Sequence, residues 1–141
     1  MKERPLMLTV MHAHKEWQNY MKKLAQESGV PDSYRMIIMY LSRKPGVSQK
    51  EIAAFCGTTY AAVSQTIKEM HSGGFIRKEI NHEDQRYSML YLTEKGEECA
   101  RRILEKIKEA DAIITKALGE EKEREMVREI EKLTEVIRKE F

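Results

Sequence analysis

Cysteine is scarce in this sequence, and its placement excludes two classes of protein. Cys56 and Cys99 stand far apart and outside any metal-type spacing. Two such thiols make neither a disulfide framework nor a zinc site, and both read as small apolar residues of helices. Long apolar runs are missing as well. The longest, Met36 to Leu41, falls far short of the roughly 20 residues that span a bilayer, so no membrane partner is expected. Met1 to Pro5 carries charge with no apolar segment or small-residue cleavage site behind it. No signal peptide is read there, and the expected location is cytoplasmic.

Catalytic signatures are also lacking. There is no glycine-rich phosphate loop, no nucleophile elbow and no HExxH. The many Glu and Lys residues after Thr93 alternate along helix faces and offer no convergent pair. His12 and His14 are two residues apart, which on a helix sends them to different faces, and His71 and His82 are well separated. No enzyme activity, metal or cofactor is therefore expected. A cysteine sensor is not expected either, because a reactive thiol should be exposed with a lowered pKa, whereas Cys56 and Cys99 fall in helical segments.

What remains is a chain of 141 residues, 41% hydrophobic and 34% charged, enough for a real core in a single domain. The net charge is only +2. The excess of Lys and Arg lies in residues 1–92, and residues 93–141 are slightly acidic, which favours an anionic partner for the first part.

Periodicity gives six helices and one hairpin. Met7, Val10, His14, Trp17, Met21 and Leu24 share one stripe of a first helix over about 6–26. Asp32 or Ser33 caps a second helix ending near Arg43, apolar almost all round and therefore central. Ser48 and Glu51 have the spacing of a capping box for a short third helix with Ile52, Phe55 and Cys56 facing inward. Gly57 stops it, Thr58 or Thr59 caps a fourth helix, and Gly73-Gly74 ends that one. The period then changes: 75–80 and 87–92 read as strands around a polar tip at 81–86. Thr93 caps a fifth helix with Glu94, Glu97 and Glu98 in its first turn, and Gly119 separates it from a sixth.

A short capped helix, a tight turn, a longer helix and a hairpin make a helix-turn-helix followed by a wing. On the fourth helix Val63, Ile67 and Met70 face the core. Tyr60, Ala61, Ser64, Gln65 and Lys68 then form a polar outer face, expected to be free of acidic residues and able to lie in a major groove. Gln65 suits adenine, Ser64 several bases and Ala61 a thymine methyl group. Thr59 and the helix N-terminus suit a phosphate, and Ser48 is placed in the same surface. In the wing, Asp84 two residues before Arg86 can pair with it and aim it into a narrow minor groove.

The stretches Ser-Gln-Lys-Glu-Ile-Ala at 48–53, Ala-Val-Ser-Gln at 62–65, Gly-Gly-Phe-Ile at 73–76, Asp-Gln-Arg at 84–86 and Leu-Thr-Glu-Lys-Gly at 92–96 follow one another in a characteristic order. Together they resemble the MarR family of bacterial transcription regulators, and the flanking helices match in number and order. The resemblance implies a mainly α fold with a small β-hairpin wing: a winged helix-turn-helix lobe at 30–92 and dimerisation helices at 1–28 and 93–141 of one 1–141 domain. It implies that Arg86 enters the minor groove while Asp84 orients it. It also implies a small aromatic or phenolic ligand between the dimer region and the lobe, where His14, Trp17, Tyr34 and Tyr40 are the candidate lining residues. Many relatives carry a basic residue where this chain has Gln65, which implies a lower affinity or a different base preference.

The fifth helix should be about 37 Å long, more than one small winged lobe can cover. The stripes of the first and last helices are left over too, so a homodimer is expected. The function expected is a sequence-specific repressor binding duplex DNA at a pseudo-palindromic site, half-sites about 34 Å apart or a near multiple, and relieved by a small ligand. The alternative is a winged-helix protein-interaction module without DNA binding. Dimerisation within a larger enzyme would require a catalytic domain absent from these residues.

Overall fold

The computed structural model describes residues 3–84 and 86–141. Gln85 of the wing motif lies outside the described residues. The elements run α1 Leu6–Ser28, α2 Asp32–Arg43, α3 Gln49–Cys56, α4 Tyr60–Ser72, β1 Ile76–Ile80, β2 Ser88–Leu92, α5 Glu94–Leu118 and α6 Glu120–Glu140. The fold is mainly α with one hairpin wing, in the expected order. The chain divides into two compact units, residues 1–100 and 101–141.

The first unit is built around α2. Ile37, Ile38 and Leu41 are essentially inaccessible to solvent, as are Ile52 of α3, Ile67 and Met70 of α4, and Ile76 and Leu90 of the hairpin. Each such side chain contributes about 1.5–3 kcal/mol on burial, and together they fix α3 and α4 against α2. From α1, Met21 and Ala25 join this core, whereas Met7 and His14 of the expected stripe are exposed. Only the C-terminal part of α1 is therefore used by the first unit.

Two local expectations are corrected. Neither Asp32 nor Ser33 caps α2: the helix begins at Asp32, after Pro31, with no side-chain cap. The Asp32 carboxylate instead accepts from Arg35 Nε at 3.0 Å, and Arg35 Nη2 donates to Gln18 Oε1 at 3.1 Å, tying α2 to α1. A carboxylate engaged by a largely buried guanidinium is not available to the helix end. Phe55 does not face inward either. It is exposed and stacks on Tyr40, ring centroids 4.4 Å apart, while Ala53 takes the buried position beside Ile52.

β1 and β2 pair antiparallel from Ile76 opposite Leu92 to Ile80 opposite Ser88. A third segment joins them: Val47 bridges Leu90, through Gly46 N–H to Leu90 O and Leu90 N–H to Val47 O, both 2.9 Å. The segment leading into α3 is thus hydrogen-bonded to the wing. Thr93 caps α5 through Gly96 N–H at 3.2 Å, as expected. Gly96 has no room for a side chain, since a Cβ there would sit 2.2 Å from the Phe75 carbonyl oxygen.

In the second unit the Thr115 hydroxyl lies within hydrogen-bond reach of two acceptors, Asp111 O and the Glu123 carboxylate, and donation to Glu123 would link α5 to α6 across the corner at Gly119. No residue of α6 is buried. Val127 and Ile130 are about half exposed and Ile113 more so.

Candidate nucleic-acid interface

The interface is assembled by caps and a tight turn. Ser48 Oγ accepts from Glu51 N–H at 3.2 Å and starts α3. Gly57, with φ of 63°, ends it in a left-handed conformation that strains side-chain-bearing residues, although a Cβ there would meet nothing within 4 Å. Two residues later Thr59 Oγ1 accepts from Ala62 N–H at 3.1 Å and starts α4. Of the two threonines, Thr59 is therefore the cap. With Val63, Ile67 and Met70 buried, the outer face of α4 is set by geometry alone. Tyr60, Ala61, Gln65 and Lys68 are exposed, and Ser64 is half-buried.

That face is not free of acidic residues. Glu69 is exposed one turn beyond Gln65, and Gln65 Nε2 donates to Glu69 Oε1 at 3.1 Å. Glu69 also faces Tyr34 of α2. Burial first, then the nearby charge of Glu69, push the Tyr34 phenol above its ordinary pKa.

In the wing, Asn81 Oδ1 accepts from the N–H groups of Glu83 and Asp84 and shapes the tip. Asp84 then grips Arg86 three times: Oδ1 accepts from Arg86 N at 3.1 Å and from Nε at 3.0 Å, and Oδ2 accepts from Nη2 at 2.9 Å. The paired guanidinium holds the Asp84 carboxyl below the usual carboxylate range, and Asp84 in turn raises Arg86. The Arg86 side chain stays 83% exposed, so it is oriented without being covered.

The hairpin brings these parts together. A concavity of about 120 Å³ is lined by Ser48 and Lys50 of the α3 start, Tyr60 of the α4 start, Lys78 of β1, and Arg86 with its successor Tyr87. Ser48, Tyr60 and Arg86 were predicted for the interface. Lys50 and Lys78 were not. Lys78 lies on the exposed face of a strand whose partner carries no acidic residue, a signal that register would have supplied. Gln49 also lines this concavity, and its Nε2 is buried with no hydrogen-bond partner among the described residues.

The four candidate ligand residues have separate surroundings. His14 is exposed, and Trp17 packs on Tyr20 with centroids 5.3 Å apart. Tyr34 is buried edge-on against Phe75 at 5.6 Å. Tyr40 stacks on Phe55, and the two line an open depression of about 590 Å³ with Arg43 and Lys44. Among the described residues no group of three or more His, Cys, Asp or Glu could hold a metal ion, and no helix is long and apolar enough to cross a membrane. Burial raises the Cys56 thiol, the opposite of what a reactive thiol needs.

A capped short helix, a glycine turn, a second helix and a wing hydrogen-bonded to the segment that leads into the first of them define a winged helix-turn-helix protein. Residues 28–86 match the MarR family model, so this part of the chain is similar to that family. The transcriptional regulator BilQ of Clostridium symbiosum is 26% identical over 114 residues, covering 81% of this chain and 79% of that one. In structure, wild-type MarR of E. coli aligns with a TM-score of 0.82 at 11% identity, over 94% of this chain and 98% of that one. A MarR-family transcriptional regulator of Listeria monocytogenes, solved in complex with a 26-mer DNA, aligns with a TM-score of 0.81 at 16% identity, over 96% and 90%. These relatives are transcription regulators rather than enzymes.

Proposed function

We propose that the chain is a homodimeric repressor that binds duplex DNA at a pseudo-palindromic site. The observation that carries this reading is the convergence of Ser48, Tyr60 and Arg86 with Lys50 and Lys78 at the junction of α3, α4 and the wing. Three cations beside two capped helix starts suit a phosphate backbone, and the outer face of α4 suits a major groove. Ser48, Thr59, Lys50 and Lys78 serve the phosphates. Tyr60, Ala61, Ser64, Gln65 and Lys68 meet the groove, and Arg86, aimed by Asp84, reaches the minor groove. The DNA complex of the Listeria relative supports the same use of the fold.

The dimer rests on a burial argument. A 21-residue α6 with no buried residue, and exposed Val127, Ile130 and Ile113 beside it, has no reason to be apolar unless a second chain covers it. Repression follows from occupancy: a dimer across two major grooves denies that duplex to other proteins. A small aromatic ligand is assigned to the Tyr40–Phe55 depression, where two rings stand beside Arg43 and Lys44.

The test is selection of bound duplexes from a random pool, followed by affinity against salt. The expected result is an inverted repeat bound with a steep negative salt slope, each phosphate contact adding about −0.9 to the slope. Arg86→Ala should then weaken binding roughly tenfold with little change in base preference. No enriched site and no salt dependence from a folded dimer would instead identify a protein-interaction module.

A further inference from the structure

The outer face of α4 contains a directional hydrogen bond whose sense is fixed by chemistry. Gln65 Nε2 lies 3.1 Å from Glu69 Oε1. An ionised carboxylate only accepts, so the amide must turn its NH2 toward Glu69, and the flipped amide would set oxygen against oxygen. One N–H is thereby used. The other N–H and the whole of Oε1 remain for a ligand.

Behind Glu69 lies Tyr34, a core residue packed edge-on to Phe75, whose phenol feels the charge of the Glu69 carboxylate. The carboxylate that engages Gln65 thus neighbours the core of the lobe.

We propose that Glu69 is a positioning residue for base recognition, fixing the Gln65 amide so that it selects adenine and rejects guanine. Adenine presents N6–H2 as donor and N7 as acceptor in the major groove, matching a free Oε1 beside a free N–H. Guanine presents O6 and N7, both acceptors, and O6 would face Oε1. A glutamine free to rotate could turn its whole NH2 to the two acceptors of guanine; one held by Glu69 offers a single N–H there and sets Oε1 against the second acceptor. This inference rests on the proposed reading of DNA by Gln65.

The experiment compares base preference at each position of the selected site for the native chain and for Glu69→Ala, Glu69→Gln, Tyr34→Phe and Gln65→Ala. At one position per half-site, the adenine-over-guanine preference, expected at about tenfold, should fall to near one in Glu69→Ala. It should fall partway in Tyr34→Phe, which keeps the ring and loses only the hydroxyl. Glu69→Gln keeps an acceptor oxygen without the charge and should retain most of the preference. If Glu69→Ala tightens binding equally on all sequences, Glu69 acts only by repelling phosphates and the inference is overturned. If Gln65→Ala alters a base position that the Glu69 and Tyr34 variants leave unchanged, positioning by Glu69 fails while DNA reading by Gln65 stands. If Gln65→Ala alters no position, the underlying reading of Gln65 fails, and the inference with it.

Discussion

At the scale of single residues, two ionisable groups have their charge set by named neighbours. Asp84 keeps its proton off below the ordinary carboxylate range because Arg86 binds it, so the wing pair is intact at neutral and mildly acidic pH and opens only when strong acid protonates Asp84. Tyr34 works in the other direction. Its folded pKa lies above the ordinary 10.0, chiefly through burial. The unfolded chain therefore ionises first as pH rises. The stability this residue contributes is complete below pH 10.0 and is lost as pH climbs through the raised value. Thermal melts of the native chain should fall more steeply above about pH 10 than those of Tyr34→Phe, which lacks the titrating group. Identical alkaline slopes would mean that Tyr34 is not held by burial and Glu69 in solution. The same residue illustrates what the sequence conceals. Tyr34 is a candidate ligand residue because the family resemblance implies an aromatic ligand beside the lobe and α2 supplies aromatic side chains there. Its role against Phe75 and Glu69 depends on which face of α2 meets α4, and no spacing within α2 encodes that. Glu69 falls at the edge of the outer face of α4; its pairing with Gln65, one turn back on the same helix, was within reach of the sequence, whereas its nearness to Tyr34 of α2 was not.

At the scale of the element, the signals that proved readable are those closed within three or four residues. Ser48, Thr59 and Thr93 each accept from the N–H three residues ahead, so their chemistry is local and survives without knowledge of the fold. Gly57 is legible on the same grounds. Asp32 has the right residue type for a cap, yet Arg35, anchored to Gln18 on another helix, takes its carboxylate. Phe55 misled because an eight-residue helix gives too few turns to fix which apolar residue points inward. Thr59 provides a clean test at this scale. Thr59→Ala should destabilise the first unit by about 1 kcal/mol, the typical value of an N-cap, measured by denaturant titration. Thr58→Ala should cost much less. Equal losses would place the start of α4 one residue earlier.

At the scale of the whole molecule, the apolar residues divide by use. Those of α2, α3, α4 and the hairpin are consumed by the first unit, whereas those of α6 are left at the surface. This leftover was visible in the sequence as a stripe without a partner. If a second copy covers it, Val127→Glu with Ile130→Glu should shift the chain from dimer to monomer in sedimentation at micromolar concentration. The isolated lobe should keep its fold, because neither residue belongs to its core. A double variant that sediments unchanged would remove α6 from the proposed dimer. Loss of the dimer should also cost much of the DNA affinity, since two linked half-site contacts become one.

The short bridge between Val47 and Leu90 bears on how a site would be measured as well as read. It joins the entrance of α3 to the middle of β2, with Gly46 N–H and Leu90 N–H closing a pair of 2.9 Å bonds. The helix pair and the wing are therefore parts of one gauge with fixed jaws. In the proposed complex the guanidinium of Arg86 and the outer face of α4 are set a constant distance apart along the duplex. Such a gauge tolerates a poor base at either jaw more readily than an extra base pair between them. Spacing itself becomes part of the message that the protein accepts.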